Sequence, residues 1–385
     1  MLPIVSVCVV EVLAACVAAR LAGLTSMFGS CGCWTVSVTG TITRFVPLPG
    51  PASGSLLVTQ RLAVCVPTAI PVESNVTVTG TLPAGAVAQK LPGGGAAIKL
   101  ALPALGIGPV REAKAARAPD SGTSGPIETQ FYIARIDPAT GGLASLKLKP
   151  SMREMLGGPA NVIVAERNVD PRIEPYHFPA DRPGRKRVGN SGSSGARIDV
   201  VAGPLATAVT AESDFPGGKK AVRRMVFYPD HPRIDCDAWL EDVPDGTLVS
   251  AEFPLADDIV EARRGIPYGF AHAAVARPNA DLHGYMKGIT PAVRWSHYAL
   301  AGGGGFAILD RGLPGREIDR RTPLLFLLNA CDTYMGYPCS WLSGRGKHHL
   351  SYAIVAHEGE WPSARIPRLA WEFNAPPIVL PGPAS

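Results

Sequence analysis

From Phe131 to Leu146 the chain reads FYIARIDPATGGLASL, and its polarity alternates as it does in half-buried strands. The apolar residues run through Phe131, Ile133 and Ile136, Asp137-Pro138 and Gly141-Gly142 supply turn chemistry, and Leu143 and Leu146 resume the buried side. The pattern predicts a β-hairpin. Upstream, from Trp34 to Val110, the Thr- and Val-rich pieces WTVSVTGTITRFV, LLVTQRLAVCV and NVTVTGTL alternate with Pro/Gly turns, which predicts a small β-sandwich over residues 35–110. Residues 1–34 are assigned to no domain. The polar, small-residue run 111–126 (REAKAARAPDSGTSGP) is expected to be a linker, and 127–385 a second, larger antiparallel β-domain. Within it, 181–195 (DRPGRKRVGNSGSSG) reads as a loose insertion.

Alternation also sorts the polar residues. Arg233, Asp235 and Asp237 interleave with Ile234, Cys236 and Ala238, so charge lies on one face of a strand and apolar groups on the other. Two carboxylates on one strand face stand about 6 to 7 Å apart, a spacing compatible with acid/base chemistry, but a solvated sheet face is the commoner use of such a pattern. Adjacent His348 and His349 point to opposite faces. His349 and His357 share a face roughly 26 Å apart, so they form no two-histidine metal site within one strand. His357-Glu358-Gly359-Glu360-Trp361 lacks the second histidine of a zinc-binding H-E-x-x-H helix.

Composition agrees with many short strands. Apolar residues make up 46% of 385 and charged ones 18%, while 42 Gly and 37 Pro show no period. The all-β class follows. The net charge of +5 is scattered, and its densest cluster, Arg182 to Arg187, lies in the Pro/Gly/Ser insertion, so neither nucleic acid nor a membrane is an expected partner. Five of the eight cysteines fall within the first 65 residues, and Cys31-Gly-Cys33 has no second pair to complete a zinc site, so ordinary thiols are expected; Cys331 and Cys339 would bridge only in an oxidising compartment. The apolar N-terminus carries Glu11 and Arg20 and lacks a basic start. The cytoplasm is therefore the expected location, with secretion as the alternative.

Several phrases carry a family resemblance. FYIARIDPATGGLASL, GPANVIVAERN, HPRIDCDAWLEDVPDGTLVSAEFPL, the PAVRWSHYALAGGGGFAILDRGLPGREID strand pair, LLFLLNACDTYMGYPCSWLSGRGKHHLSYAIVAHEGEW and RLAWEFNAPP resemble, in the same order, phrases of the large C-terminal β-domain of glycoside hydrolase family 38, the α-mannosidases. Residues 81–110 resemble the linking sandwich before that domain. The resemblance implies a galactose mutarotase-like supersandwich over 127–385 and a carbohydrate, mannoside, context. In the family a zinc ion and an aspartate nucleophile act in an N-terminal α/β barrel, with zinc held partly by a His-x-Asp motif. No such motif stands here, so the expectation is no catalytic residue, no metal ligand and no cofactor in this chain, with zinc and catalysis on a separate barrel partner.

The same resemblance points to three substrate-contact candidates. Arg311, in AILDRGLPG, stands where the family places an Arg or Asn before Gly, and its guanidinium suits sugar hydroxyls. Tyr337 and Trp341, in MGYPCSWLSGRG, carry rings that stack well on a pyranose face, although plugging the loop into the core is the more ordinary role. The expected function is a carbohydrate-binding and structural β-domain of an α-mannosidase that completes the substrate pocket. An autonomous binding module or a sugar epimerase is the alternative; epimerase chemistry needs a Glu base and a His acid on one sheet, and the sequence alone forces no such pair together.

Overall fold

The computed structural model describes residues 58–60, 76–78, 88–90, 96–98, 120–121, 125–168, 185–273, 275, 289–334 and 337–375. Of the expected small sandwich it shows two short antiparallel pairs, Val58–Gln60 with Val76–Val78 and Ala88–Lys90 with Ala96–Ile98. The remainder of that sandwich, residues 1–34 and most of the linker lie outside the described residues. Everything that follows belongs to the unit that begins at Thr79.

The predicted hairpin is present. Strands β1 (Ile127–Glu128), β2 (Tyr132–Ile136) and β3 (Leu143–Leu148) form an antiparallel sheet, with a register shift at Arg135/Ile136. Its buried face differs from the expected one: Tyr132 and Ala134 are buried, whereas Phe131 and Ile133 are only half-covered. The reason is polar. The Tyr132 hydroxyl shares its one hydrogen between Pro232 O at 2.6 Å and Ala356 O at 2.9 Å, and accepts from Ala356 N, so burying this ring gives backbone groups a partner that a phenylalanine would not. Leu143, Leu146 and Leu148 are buried as expected.

Two larger antiparallel sheets follow. One has six strands: β4 (Val162–Asn168), β5 (Arg185–Asn190), β10 (Thr247–Glu252), β13 (Ile289–Pro291), β16 (Gly315–Asp319) and β17 (Thr322–Ala330), in the order β5-β4-β10-β17-β16-β13. The other contains β6 (Arg197–Ala202), β7 (Thr207–Asp214), β8 (Lys220–Tyr228), β9 (His231–Glu241), β11 (Ile259–Ile266), β12 (Gly269–Ala273), β14 (Trp295–Leu300), β15 (Gly305–Asp310) and β18 (Lys347–His357), with Asp120–Ser121 as its tenth strand. Its order is β12-β11-β14-β15-β18-β9-β8-β7-β6 and then that short strand. This is the expected all-β supersandwich. The insertion expected to be loose contributes β5, an edge strand; its Arg-Lys-Arg run shows no apolar alternation because an edge strand uses charge to discourage further pairing.

Side chains from the two sheets interlock. Phe253, just after β10, meets Phe306 of β15 at 5.6 Å and Tyr352 of β18 at 6.4 Å between ring centroids. Ile234, Cys236, Ala238 and Leu240 of β9 are buried on the same inner side. Each fully buried Leu, Ile or Phe contributes about 1.5–3 kcal/mol. Every residue of β10 and β15 is buried, the mark of central strands covered on both faces.

The outer face of the ten-stranded sheet is covered in its middle by one helix, α1 (Ile366–Asn374). Pro367 fits its first turn, where a missing N–H costs nothing, and Ile366, Leu369, Ala370 and Phe373 form a stripe at helical spacing. That stripe packs on Trp295, Ala307, Leu309, Ala353 and Val355. Among the described residues no helix is long and apolar enough to cross a membrane.

Candidate functional site

The same outer face presents two polar and aromatic groups. The first is set by register across β8, β9 and β18: Asp237 lies opposite Arg224 on one side and Ser351 on the other, and Trp239 lies opposite His349. Asp237 accepts from Ser351 Oγ at 2.7 Å, His349 Nε2 at 3.0 Å and an Arg224 terminal nitrogen at 2.9 Å. Burial pushes its pKa up, but the hydrogen bonds from His349 and Ser351 and the Arg224 charge outweigh burial and hold it below the usual carboxylate value. Trp239 and His349 stack at 4.6 Å with ring planes 3° apart, and the Arg224 guanidinium lies 5.3 Å from the indole centroid. One strand step away, Asp235 is paired with Arg233 and accepts from Tyr228 Oη at 2.8 Å. Both carboxylates of this face thus serve neighbours.

The second group spans β11, β12, β14, β18 and the turn that follows β18. Arg263 lies opposite His272 and His297, which brings residues of three strands to one place. Glu261 is paired with Arg263 and with His272 Nδ1 at 2.8 Å. The Arg263 guanidinium lies 5.2 Å from the Trp361 centroid, and Trp361 also meets Trp295 at 6.0 Å and Phe270 at 5.1 Å.

Behind these rings His297 and His357 approach with Nε2 atoms 3.0 Å apart and centroids 5.2 Å apart, so the imidazoles meet nearly head-on. That geometry is an N–H···N hydrogen bond. His357 Nδ1 lies 3.1 Å from Glu358 O, an acceptor, so Nδ1 carries the proton and Nε2 accepts from His297. His297 Nδ1 is then a buried acceptor with no partner. Gly305 pairs with His357 directly below; a Cβ there would collide with both Nε2 atoms. Burial first, then His357 and Arg263, push the His297 pKa down to about 3, and burial also lowers that of His357.

The three candidates taken from the sequence lie elsewhere. Arg311 donates through Nε and a terminal nitrogen to Phe373 O, at 2.9 and 2.7 Å, and its guanidinium stands 4.3 Å from the Phe373 ring centroid, so it holds the C-terminal end of α1. Tyr337 and Trp341 are 74% and 67% exposed, so they do not plug their loop into the core. The buried side chains of Cys331 and Cys339 take that place. The pairs that sequence reading missed are Glu261 with His272 and His297 with His357. Alternation in VEARR and GFAHA puts each residue on a face, but nothing local reveals the strand opposite. Among the described residues no three His, Cys, Asp or Glu side chains converge as metal ligands.

No protein-family model and no curated protein matches the sequence. Solved structures do match. A protein in glycosyl hydrolase family 38 from Enterococcus faecalis superposes at TM-score 0.55 and 10% identity, over 69% of this chain and 34% of its own. About one third of a family 38 glycosyl hydrolase shares this fold. An α-mannosidase from Enterococcus faecalis V583 gives TM-score 0.53 at 9% identity, over 69% of this chain and 33% of that one. The present chain therefore spans about a third of the length of these family 38 proteins. At such identity the likeness establishes architecture, and the chemistry has to be argued from side chains.

Proposed function

We propose that residues 127–385 act as the carbohydrate-facing β-domain of an α-mannosidase-type glycosidase, buttressing a catalytic barrel and completing its substrate pocket without cleaving the bond themselves. The barrel, with its zinc, belongs to another part of the same polypeptide or to a partner chain. The supersandwich likeness to family 38 carries the reading. The state of the carboxylates supports it: retaining hydrolysis needs a nucleophile and an acid/base about 5 Å apart, whereas Asp235, Asp237 and Glu261 are each held by arginine or histidine. The buried free thiols of Cys236 and Cys339 suit a reducing cytoplasm. The test is an aryl-α-mannoside assay with added zinc, using this chain alone and mixed with a separately expressed family 38 barrel. The expected result is no hydrolysis alone and activity gained on mixing. Hydrolysis by this chain alone would overturn the proposal.

A second reading, a sugar epimerase, is favoured by one observation: a carboxylate and an imidazole, Glu261 and His272, stand together on the outer sheet face, and a sugar that entered between them would find the two group types that mutarotation uses as base and acid. Polarimetry of freshly dissolved α-glucose and α-galactose decides it. A rate above the spontaneous one that vanishes in Glu261→Gln would establish this reading over the first.

A further inference from the structure

Phe270 stands on β12, at the end of the ten-stranded sheet, and is 43% exposed. It packs T-shaped on Trp361 at 5.1 Å and tilted on Trp295 at 6.5 Å. Trp295 is buried, Trp361 half-buried and Phe270 exposed, so three rings in mutual contact lead from the covered core out to solvent. Such a wall offers a rigid apolar surface at little entropic cost, because its inner members are already fixed.

A polar fringe lies on the same face. A carboxylate has about four acceptor positions, and Glu261 uses two of them, for Arg263 and His272. The charges of Arg263 and Glu261 cancel, which suits a neutral ligand better than a phosphorylated or carboxylated one. A rigid apolar wall beside a charge-balanced group of donors and acceptors matches a pyranose, whose one face is C–H and whose rim is hydroxyl.

We infer that this rim is a subsite for a neutral hexopyranose. The apolar ring face lies on Phe270, which Trp361 backs edge-on, one hydroxyl donates to Glu261, and a neighbouring hydroxyl accepts from Arg263 or His272. The inference rests on the carbohydrate part of the reading above and gives it a location distinct from Arg311, Tyr337 and Trp341.

Titrating the full chain with methyl α-D-mannopyranoside and α-mannobiose, read by saturation-transfer NMR and by tryptophan fluorescence, tests it. Phe270→Ala is expected to weaken binding about tenfold, the loss of one stacking partner (about 1.4 kcal/mol). Glu261→Gln should also weaken binding, and Tyr337→Ala and Trp341→Ala should leave it unchanged. A thermal melt of each variant separates lost binding from lost folding. Saturable binding that both rim variants retain would overturn the subsite while leaving the carbohydrate reading in place. If the parent chain binds neither sugar, both fall, and the mixing assay with the barrel still decides the buttressing role on its own.

Discussion

The His297–His357 pair shows how much a single buried hydrogen bond constrains. An added proton on the pair is disfavoured, on His297 by burial, His357 and Arg263, and on His357 by burial. In the unfolded chain both histidines return to about 6.5. From pH 6.5 down to about 3 the unfolded state therefore binds protons that the native state refuses, so stability rises with pH across that window and is lost on acidification. Each unit of pH below 6.5 costs about 1.4 kcal/mol for the one suppressed proton on His297. Asp237 acts lower: its depressed native pKa adds stability that is present above the ordinary carboxylate value and lost as pH falls through the native one. His297→Gln should therefore flatten the pH dependence. Urea midpoints measured near pH 7 and near pH 5 should differ less in the variant than in the parent, and equal differences would refute the account. Strand parity predicts that His349 and His357 share a face and that Arg233, Asp235 and Asp237 do too, and both hold. Parity cannot find His297, which lies 60 residues from its partner.

At the scale of elements, the helix was the largest omission. RLAWEFNAPP reads as a family phrase inside an all-β chain, yet Ile366, Leu369, Ala370 and Phe373 repeat at helical spacing behind a proline suited to the first turn. The signal was there, but nine residues are few against a composition that favours strands. Arg311 belongs to this helix in energetic terms, since it satisfies a carbonyl that the helix end leaves unpaired and places its charge at the negative end of the dipole. Arg311→Ala should cost about 1–2 kcal/mol and speed amide exchange across 366–374, while exchange in β9 stays slow. Arg311→Lys should fall between the two. If Arg311 instead contacts sugar and does not anchor the helix, the alanine variant would lose carbohydrate affinity with helix exchange unchanged.

At the scale of the molecule, alternation and turn chemistry made the strands and their antiparallel class legible, but not their division between sheets. β9 and β10 are joined by a short turn, yet β9 pairs in the ten-stranded sheet and β10 in the six-stranded one. Both are rich in apolar residues, and the choice rests on contacts with segments far away in sequence. Arg223 of β8 is one such contact that no local pattern foretells, because its position on an alternating strand calls for an apolar residue. It is 1% exposed; it donates to Asn161 O at 2.8 Å and also to Thr140 O, while Asn161 Oδ1 accepts from Tyr352 Oη at 2.5 Å. One guanidinium thus ties the loop of the opening hairpin and the entry to β4 to the large sheet. Burial lowers its pKa to about 10, so it remains charged at neutral pH. Arg223→Met keeps much of the volume and removes the charge, but leaves both carbonyls without this donor. The loss of paired buried groups outweighs the relief of burying a cation when the acceptors cannot reach water, so the variant should lose about 2–4 kcal/mol. Denaturant unfolding reads that loss, and hydrogen exchange locates it: protection should fall first in residues 137–142, ahead of β15 and β18. A variant as stable as the parent would mean that the hairpin is held by Tyr132 and its leucines alone.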